Sequence, residues 1–488
     1  MTYTVLRILT YVLGIVGSAL VIPLGVAIFE NEDAMIPVFL APMVLAWGAA
    51  LIFLLRARGK PKVVGIQDAF GVVGILWVAI CVFGAIPLYF CGGYPSVIDA
   101  LFESVSGFTT TGATVLADVE KLPRSVNIWR CLTHWLGGLG VVALAVAMIP
   151  LLGAGGFRLI KAEATGPDKA KFTASIATTA KILWFIYFGF TALVAVLLWY
   201  VGLDPIDALC HAFSTFATGG FSSRNLSIGS FGIPAAEWIC TVFMLLASVN
   251  FMLFCRLFTG RVSDFFRNSE LRVFTAIVFI SVAVIAIVQT LSGDGNFSDV
   301  VRDAAFQVAA VVTSTGFTTN DYTTWAPASQ IIIIMLLCVG GCSGSTAGGV
   351  KVVRWMILGK QFINELRRLL HPYEVFALRL NGVAVRDSVV PAVAAFMFAY
   401  FLLAIFTALL GAIAGLDLLS AITGGFCIVG NIGPAFGSLG PSMTYGDIPA
   451  WLKVWYMIAM LAGRLEIYTL LILLGGFSRF RHKEKFRK

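Results

Sequence analysis

A chain of 488 residues, 59% hydrophobic and only 12% charged, falls far below the roughly 25% charged content of soluble domains, so it is not a string of soluble modules. Mean hydropathy is +0.92, and apolar runs of about 20 residues recur, the length that crosses ~30 Å of hydrocarbon. The formal net charge of +8 does not point to nucleic acid, because the basic residues lie in short segments between apolar runs.

Residues 1–62 read as two N-terminal transmembrane helices, about 8–29 and 34–55. The first follows a lone Arg7 and lacks a small-residue cleavage site with polar sequence behind it, which marks a retained helix and not a signal peptide. Four units follow, 63–152, 153–260, 261–370 and 371–488, each expected to hold an outer helix, a re-entrant half-helix and an inner helix. Outer helices fall near 66–90, 177–201, 273–292 and 389–414, and inner helices near 126–151, 235–257, 327–350 and 450–477. The re-entrant segments lie near 95–115, 204–223, 298–320 and 417–437. No segment sustains strand alternation, so the expected fold is an all-α membrane protein with ten transmembrane helices and four pseudo-fourfold repeats.

Helix-start signals open the half-helices: Ser96 before Asp99, Asp204 before Pro205, and Asp417. Asp99, Asp207 and Asp303 fall near the starts, where an acid offsets the positive end of the helix dipole. From Asp99 to Thr109 is about 16 Å of helix, half a bilayer. A helix can stop there only if the backbone after it faces protein or a water-filled pore.

Most of the 34 Lys and Arg lie at Arg7, 56–62, 153–176, 256–272, 351–388 and 479–488, which share one side if the chain crosses ten times. The first loop on the other side, Glu30 to Asp33, is acidic. This positive-inside pattern puts both termini in the cytoplasm. The basic tail 479–488 reads either as a contact for anionic lipid or a cytosolic partner, or as a stop-transfer anchor. Nine cysteines are scattered without a CxxC pair, so neither a disulfide framework nor a zinc site is expected.

The strongest signal is periodic. Asp99, Asp207 and Asp303 each stand thirteen residues ahead of a glycine, Gly112, Gly220 and Gly316, and Ser420 holds the same place ahead of Gly433. After a half-helix the chain must turn sharply outward, and carbonyls turned inward to replace an ion's water need backbone angles that glycine adopts without penalty. The candidate potassium-binding filter is therefore Thr110, Thr111 and Gly112; Thr218, Gly219 and Gly220; Ser314, Thr315 and Gly316; and Asn431, Ile432 and Gly433. The carboxyl ends of the half-helices favour a cation, and the absence of a carboxylate at the turns argues against a divalent-ion filter. The fourth copy, with Asn431 and Pro434, lacks hydroxyls, so the ring is chemically uneven.

The third inner segment is interrupted by residues 340–349, with five glycines in ten, before a basic stretch to Arg368. So glycine-rich a stretch does not hold a straight helix, and broken helices at membrane depth mark ion paths. The gating set read from this stretch is Gly340, Gly341, Ser343, Gly344, Ser345, Thr346, Gly348, Gly349 and Lys351, with a packing kink as the alternative for the loop. Arg464, expected halfway along the last helix, costs at least ~2.5 kcal/mol to insert and needs a partner. Glu466, two residues on, faces another side and is a poor one.

TTTGAT (109–114), ATGGFS (217–222), TSTGFTT (313–319) and NIGPAFG (431–437) resemble the four filters of the Trk/Ktr/HKT potassium transporter superfamily. The two leading helices, the broken third repeat and GRLE (463–466) resemble its bacterial TrkH branch, over essentially the whole chain. The resemblance implies potassium uptake across a bacterial inner membrane, with Gly112 at the first filter position pointing to potassium over sodium. It implies that Arg464 faces the intramembrane loop at the constriction and joins the gating set, with an inter-helix ion pair as the structural alternative. It further implies a homodimer with a pore in each protomer, docked on a cytosolic TrkA-like nucleotide-binding ring. No cofactor is expected in this chain; potassium is the substrate.

Three other readings compete. An ion-coupled symporter, driven by protons or sodium, stays within transport, but carrier repeats are often inverted whereas these run parallel. Gly341-Cys-Ser343-Gly344 matches the nucleophile pattern of intramembrane serine proteases, yet no histidine lies in a later apolar helix to serve as base. Gly138-Leu-Gly140 mimics a dinucleotide fingerprint but sits inside a transmembrane helix with no strand before it.

Overall fold

The computed structural model describes residues 3–56, 66–151, 176–293, 295–374, 376–386 and 388–467. The tail 479–488, much of segment 153–176 and the far end of the expected helix 450–477 lie outside them.

Two leading spans, α1 and α2 (Tyr3–Ala19, Val21–Phe29) and α3 (Ile36–Arg56), precede α4 (Ile66–Phe90). Then come α5 (Val97–Phe108), α6 (Arg124–Leu151), α7 (Ile176–Tyr200), α8 (Pro205–Phe216), α9 (Pro234–Ala247) and α10 (Phe251–Phe258). The second half holds α11 (Val262–Arg267), α12 (Ser269–Leu291), α13 (Phe297–Val312), α14 (Pro327–Leu336), α15 (Val352–Leu370), α16 (Val389–Ile413), α17 (Leu418–Gly430) and α18 (Ala450–Arg464). Among the described residues six spans are long and apolar enough to cross a membrane, seven if α9 and α10 count as one. The six are the two leading spans and α4, α7, α12 and α16. Their outward faces carry exposed Phe185, Phe279 and Phe398, the surface a bilayer covers.

The four inner elements depart from simple spans, each for a local reason. Helix α6 carries Asn127, Arg130 and His134 inside its length. The expected helix 235–257 is in fact two, bent by 94° at Ser248–Asn250, where the Asn250 side chain accepts from Met252 N and restarts the chain. The third inner helix stops at Leu336 and does not resume until Val352, so the break is wider than 340–349. In the fourth, α18 stops at Arg464, with Glu466 in a left-handed conformation (φ 59°), so Arg464 sits at the carboxyl end of α18. The all-helical expectation also misses one hairpin, β1 (Arg379–Leu380) with β2 (Val383–Ala384), turned at Asn381-Gly382 with both φ positive.

The short helices α5, α8, α13 and α17 are buried on most faces and packed between the longer ones. Three open on caps, Ser96, Asp204 and Asp417 accepting from the main-chain amides of Asp99, Ile206 and Ser420.

Candidate functional site

Each short helix ends in the same turn. The amides of Thr111, Gly219, Thr315 and Ile432 bond back to the carbonyls of Ser106, Ser214, Ala310 and Cys427 at 2.8–2.9 Å. The residue before each amide, Thr110, Thr218, Ser314 or Asn431, is left-handed at φ 53–54°. That is a Schellman ending with a β-branched or polar residue where glycine is usual, and such a conformation persists only where packing imposes it. Two residues on, Gly112, Gly220, Gly316 and Gly433 are left-handed again, at φ 74–89°.

These glycines meet one another. A methyl group on Gly112 would sit 2.2 Å from the Gly219 carbonyl oxygen, and one on Gly220 would sit 2.0 Å from that of Thr315. On Gly316 it would meet Ile432 O at 2.1 Å, and on Gly433 it would meet Thr111 O at 2.5 Å. The contacts run from first to second, third, fourth and back to first, so the four turns close a ring of main chain. All twelve sequence-derived filter positions lie in these turns.

Just beyond the ring, the carbonyl two residues after each glycine is tied to the framework. Thr114 O accepts from Tyr445 N (2.8 Å) and Thr318 O from Gly229 N (3.2 Å). Ala435 O accepts from the Tyr322 hydroxyl (2.9 Å) and Ser222 O from Arg130 Nη1 (3.1 Å). The segments past the glycines line an outer cavity of about 130 Å³ drawn from all four copies.

The acids near the helix starts do more than offset dipoles. Asp99 pairs with buried Lys453 at 2.6 Å, joining the first half-helix to α18. Asp207 accepts from Ser223 Oγ (2.6 Å) and Arg224 Nη2 (2.9 Å), and Asp303 accepts from the Asn320 amide. In the fourth copy Ser420 Oγ takes over, donating to Phe436 O (3.1 Å) and accepting from Ser438 N (2.8 Å). In copies two to four, then, this register position clamps the returning strand.

Sequence reasoning passed over Glu103, Arg130, His134 and Glu270. Glu103 and Arg130 form a fully buried ion pair at 2.7 Å. His134 bridges Gly107 O (2.7 Å) and Phe221 N (3.0 Å), linking the first half-helix to the second turn. A charged or imidazole side chain inside an apolar segment was the available signal.

The loop between α14 and α15 lies against the ring. Gly348 N donates to Ser314 Oγ, and a methyl on Gly348 would sit 2.5 Å from Gly430 O. Thr346 Oγ1 reaches Phe216 O (3.3 Å) and Ala247 O (3.1 Å), and Arg464 Nη1 donates to Thr346 O (2.8 Å). The Lys351 ammonium folds back to Ala347 O, and Ser345 Oγ donates to Cys342 O. Gly349 is left-handed (φ 66°). The loop's start is bonded to its own end and to α10: Gly340 N donates to Val350 O, Val352 N to Gly341 O, and Phe251 N to Gly344 O. Ser343 donates to buried Glu270 through both its amide (2.6 Å) and its hydroxyl (2.8 Å), so that hydroxyl faces a carboxylate and not a histidine. Glu466 pairs with Arg354 at 2.6 Å.

A family model described as cation transport protein, TrkH, matches residues 41–476. The Trk system potassium uptake protein TrkH of Halomonas elongata is 37% identical over 96% of this chain and 97% of its own length. The protein of the same name from Vibrio parahaemolyticus is 36% identical over 96% and 98%. The crystal structure of the potassium transporter TrkH from Vibrio parahaemolyticus superposes with a TM-score of 0.87 at 33% identity, covering 97% of this chain and 99% of that one.

Proposed function

From the premise that this chain belongs to the TrkH family of cation transport proteins, we propose that its four glycine-centred turns are a potassium filter and its glycine-rich loop the gate beneath. The protein is a multi-pass membrane transporter that takes up potassium; potassium is its substrate, and it is not an enzyme.

The observation that carries the filter reading is the cyclic approach of each glycine to the next turn's carbonyl. Carbonyls crowded about one axis replace an ion's hydration shell, and four half-helix carboxyl ends add partial negative charge. Thr110 Oγ1 and Asn431 Oδ1 are buried without a protein partner, in keeping with a polar path at the turns. The filter comprises Thr110, Thr111, Gly112, Thr218, Gly219, Gly220, Ser314, Thr315, Gly316, Asn431, Ile432 and Gly433.

The gate reading rests on the loop's contact with Ser314 and on Arg464, whose guanidinium donates to the loop from the carboxyl end of α18. That end favours a cation, and a fixed positive charge under the filter opposes potassium until it is displaced. The same reading assigns ten crossings in four parallel repeats, 63–152, 153–260, 261–370 and 371–488, after the two helices of 1–62. Both termini then face the cytoplasm of a bacterium across its inner membrane. It extends to a homodimer on a TrkA-like nucleotide-binding ring, with 351–386 and 479–488 as docking surfaces.

Proteoliposome flux of potassium, sodium and rubidium, with and without the cytosolic ring, tests this. Potassium should pass in preference to sodium with no added coupling ion. A stoichiometric requirement for protons or sodium would replace the channel-like pore with a symporter.

A further inference from the structure

We infer that the buried Glu103–Arg130 ion pair is a positioning element that sets potassium-over-sodium discrimination, by fixing the spacing of the first and second filter turns. The inference rests on the filter reading above.

Both side chains are buried, 0% and 1% exposed, and every polar hydrogen of Arg130 is engaged. Its Nε and Nη2 donate to Glu103 Oε1 at 2.9 and 2.7 Å. Its Nη1 donates to Asn127 Oδ1 (3.0 Å) and to Ser222 O (3.1 Å), while Nη2 also reaches Thr114 Oγ1 at 3.5 Å. The Phe221 ring covers the guanidinium at 4.4 Å. Glu103 in turn accepts from Thr114 Oγ1 (2.9 Å) and Val115 N (3.0 Å).

The two ions hold equivalent points. Thr114 stands two residues past Gly112, and Ser222 two residues past Gly220. One ion grips the first turn, the other the second, and the pair spans the seam where Gly112 meets the Gly219 carbonyl. The other three tied carbonyls are held by two main-chain amides and a phenol, so this is the charged tie of the four.

Stability does not explain the pair. Desolvating two charges costs about what their attraction returns, and apolar replacements of similar volume are often neutral or better. Geometry does explain it. Charge-assisted bonds are shorter and stiffer than neutral ones, and the planar guanidinium holds a carboxylate and a carbonyl in one fixed fork. Potassium and sodium differ only in the size and field of the oxygen cage they prefer, so a rigid seam bears on the ratio of the two.

The test uses the full-length protein in proteoliposomes and reads the sodium-to-potassium permeability ratio, which does not depend on how many molecules are active. The parent must first show potassium preference; if it shows none, the filter reading fails, not this one. The double variant Glu103→Leu with Arg130→Met removes the pair without leaving a lone buried charge. Eluting as the parent does in detergent, it should raise the ratio about tenfold. A monodisperse double variant with the parental ratio overturns the inference. Should it not fold, Thr114→Val decides: its ratio should rise several-fold while Thr114→Ser, which keeps the hydroxyl, matches the parent. A valine variant indistinguishable from the parent overturns the inference equally.

Discussion

A methyl group at Gly220 would lie 2.0 Å from the Thr315 carbonyl oxygen, and neither partner can swing away because both are main chain. Left-handed backbone at φ 89° adds a further cost of about 1–2 kcal/mol for any L side chain. Gly220→Ala is therefore expected to splay the second and third turns and lower potassium-over-sodium preference about tenfold, read as flux ratios in proteoliposomes. Equal ratios in parent and variant would remove Gly220 from the filter. Arg464→Ala removes the guanidinium that donates to Thr346 O and should raise potassium leak in the absence of the cytosolic ring. Unchanged leak would leave the arginine a structural role alone. At this scale the sequence was legible wherever one residue type has one use. A glycine at a fixed distance from a half-helix start has few explanations, and four have fewer. The left-handed Thr110, Thr218 and Ser314 were not legible, because nothing in a β-branched or hydroxyl side chain announces a conformation that packing forces on it. The pairing of Glu103 with Arg130 was hidden for another reason: the two lie on different helices, and the pair exists only once α5 and α6 are packed together.

Among the elements, the loop between α14 and α15 is the one whose two ends are bonded to each other while its middle touches the ring. Both its flanks are moored to Glu270, which receives the amide and hydroxyl of Ser343 in the first half and the amide of Val353 just past the second. Its second half touches the ring of turns at Ser314 through Gly348, and the end of α8 at Phe216 O through Thr346. On the proposed gate reading, a segment tied at both flanks with its contact to the ring between them is the part that moves. Shortening the blocking half by deleting residues 345–348 should raise closed-state flux, whereas Glu270→Gln, which keeps an acceptor but loses the charge, should loosen the mooring and shift the opening threshold. Single-channel or bulk flux with and without the cytosolic ring distinguishes the two, and a deletion with parental closed-state flux counts against the gate. Five glycines exposed this break in the sequence. The 94° bend at Ser248–Asn250 left no such mark, since Ser-Val-Asn interrupts an apolar run without glycine or proline, and only the Asn250 cap gives it away. The hairpin at Asn381-Gly382 carried a recognised turn signal, but its strands are two residues each, too short for alternation to register.

For the whole molecule the question is what drives the ion. Four half-helices converge on one ring, and the loop beneath it contacts the third and fourth segments, with Gly348 meeting Ser314 and Gly430, and the second, through Thr346 and Phe216. If the loop is the gate, one flap against one aperture needs no second, inward-facing binding state of the kind a symporter alternates with. A pore of this kind equilibrates potassium with the membrane potential, which supplies about 2.3 kcal/mol per charge per 100 mV, or about fiftyfold accumulation. Vesicles clamped at an inside-negative 100 mV should therefore fill with rubidium or potassium to that limit and stop, whether or not sodium or a pH gradient is present. Accumulation that climbs well past the limit when a sodium or proton gradient is imposed would mean a coupled cycle. The parallel order of the repeats would then be serving a carrier, and the loop would have to be one of two alternating barriers.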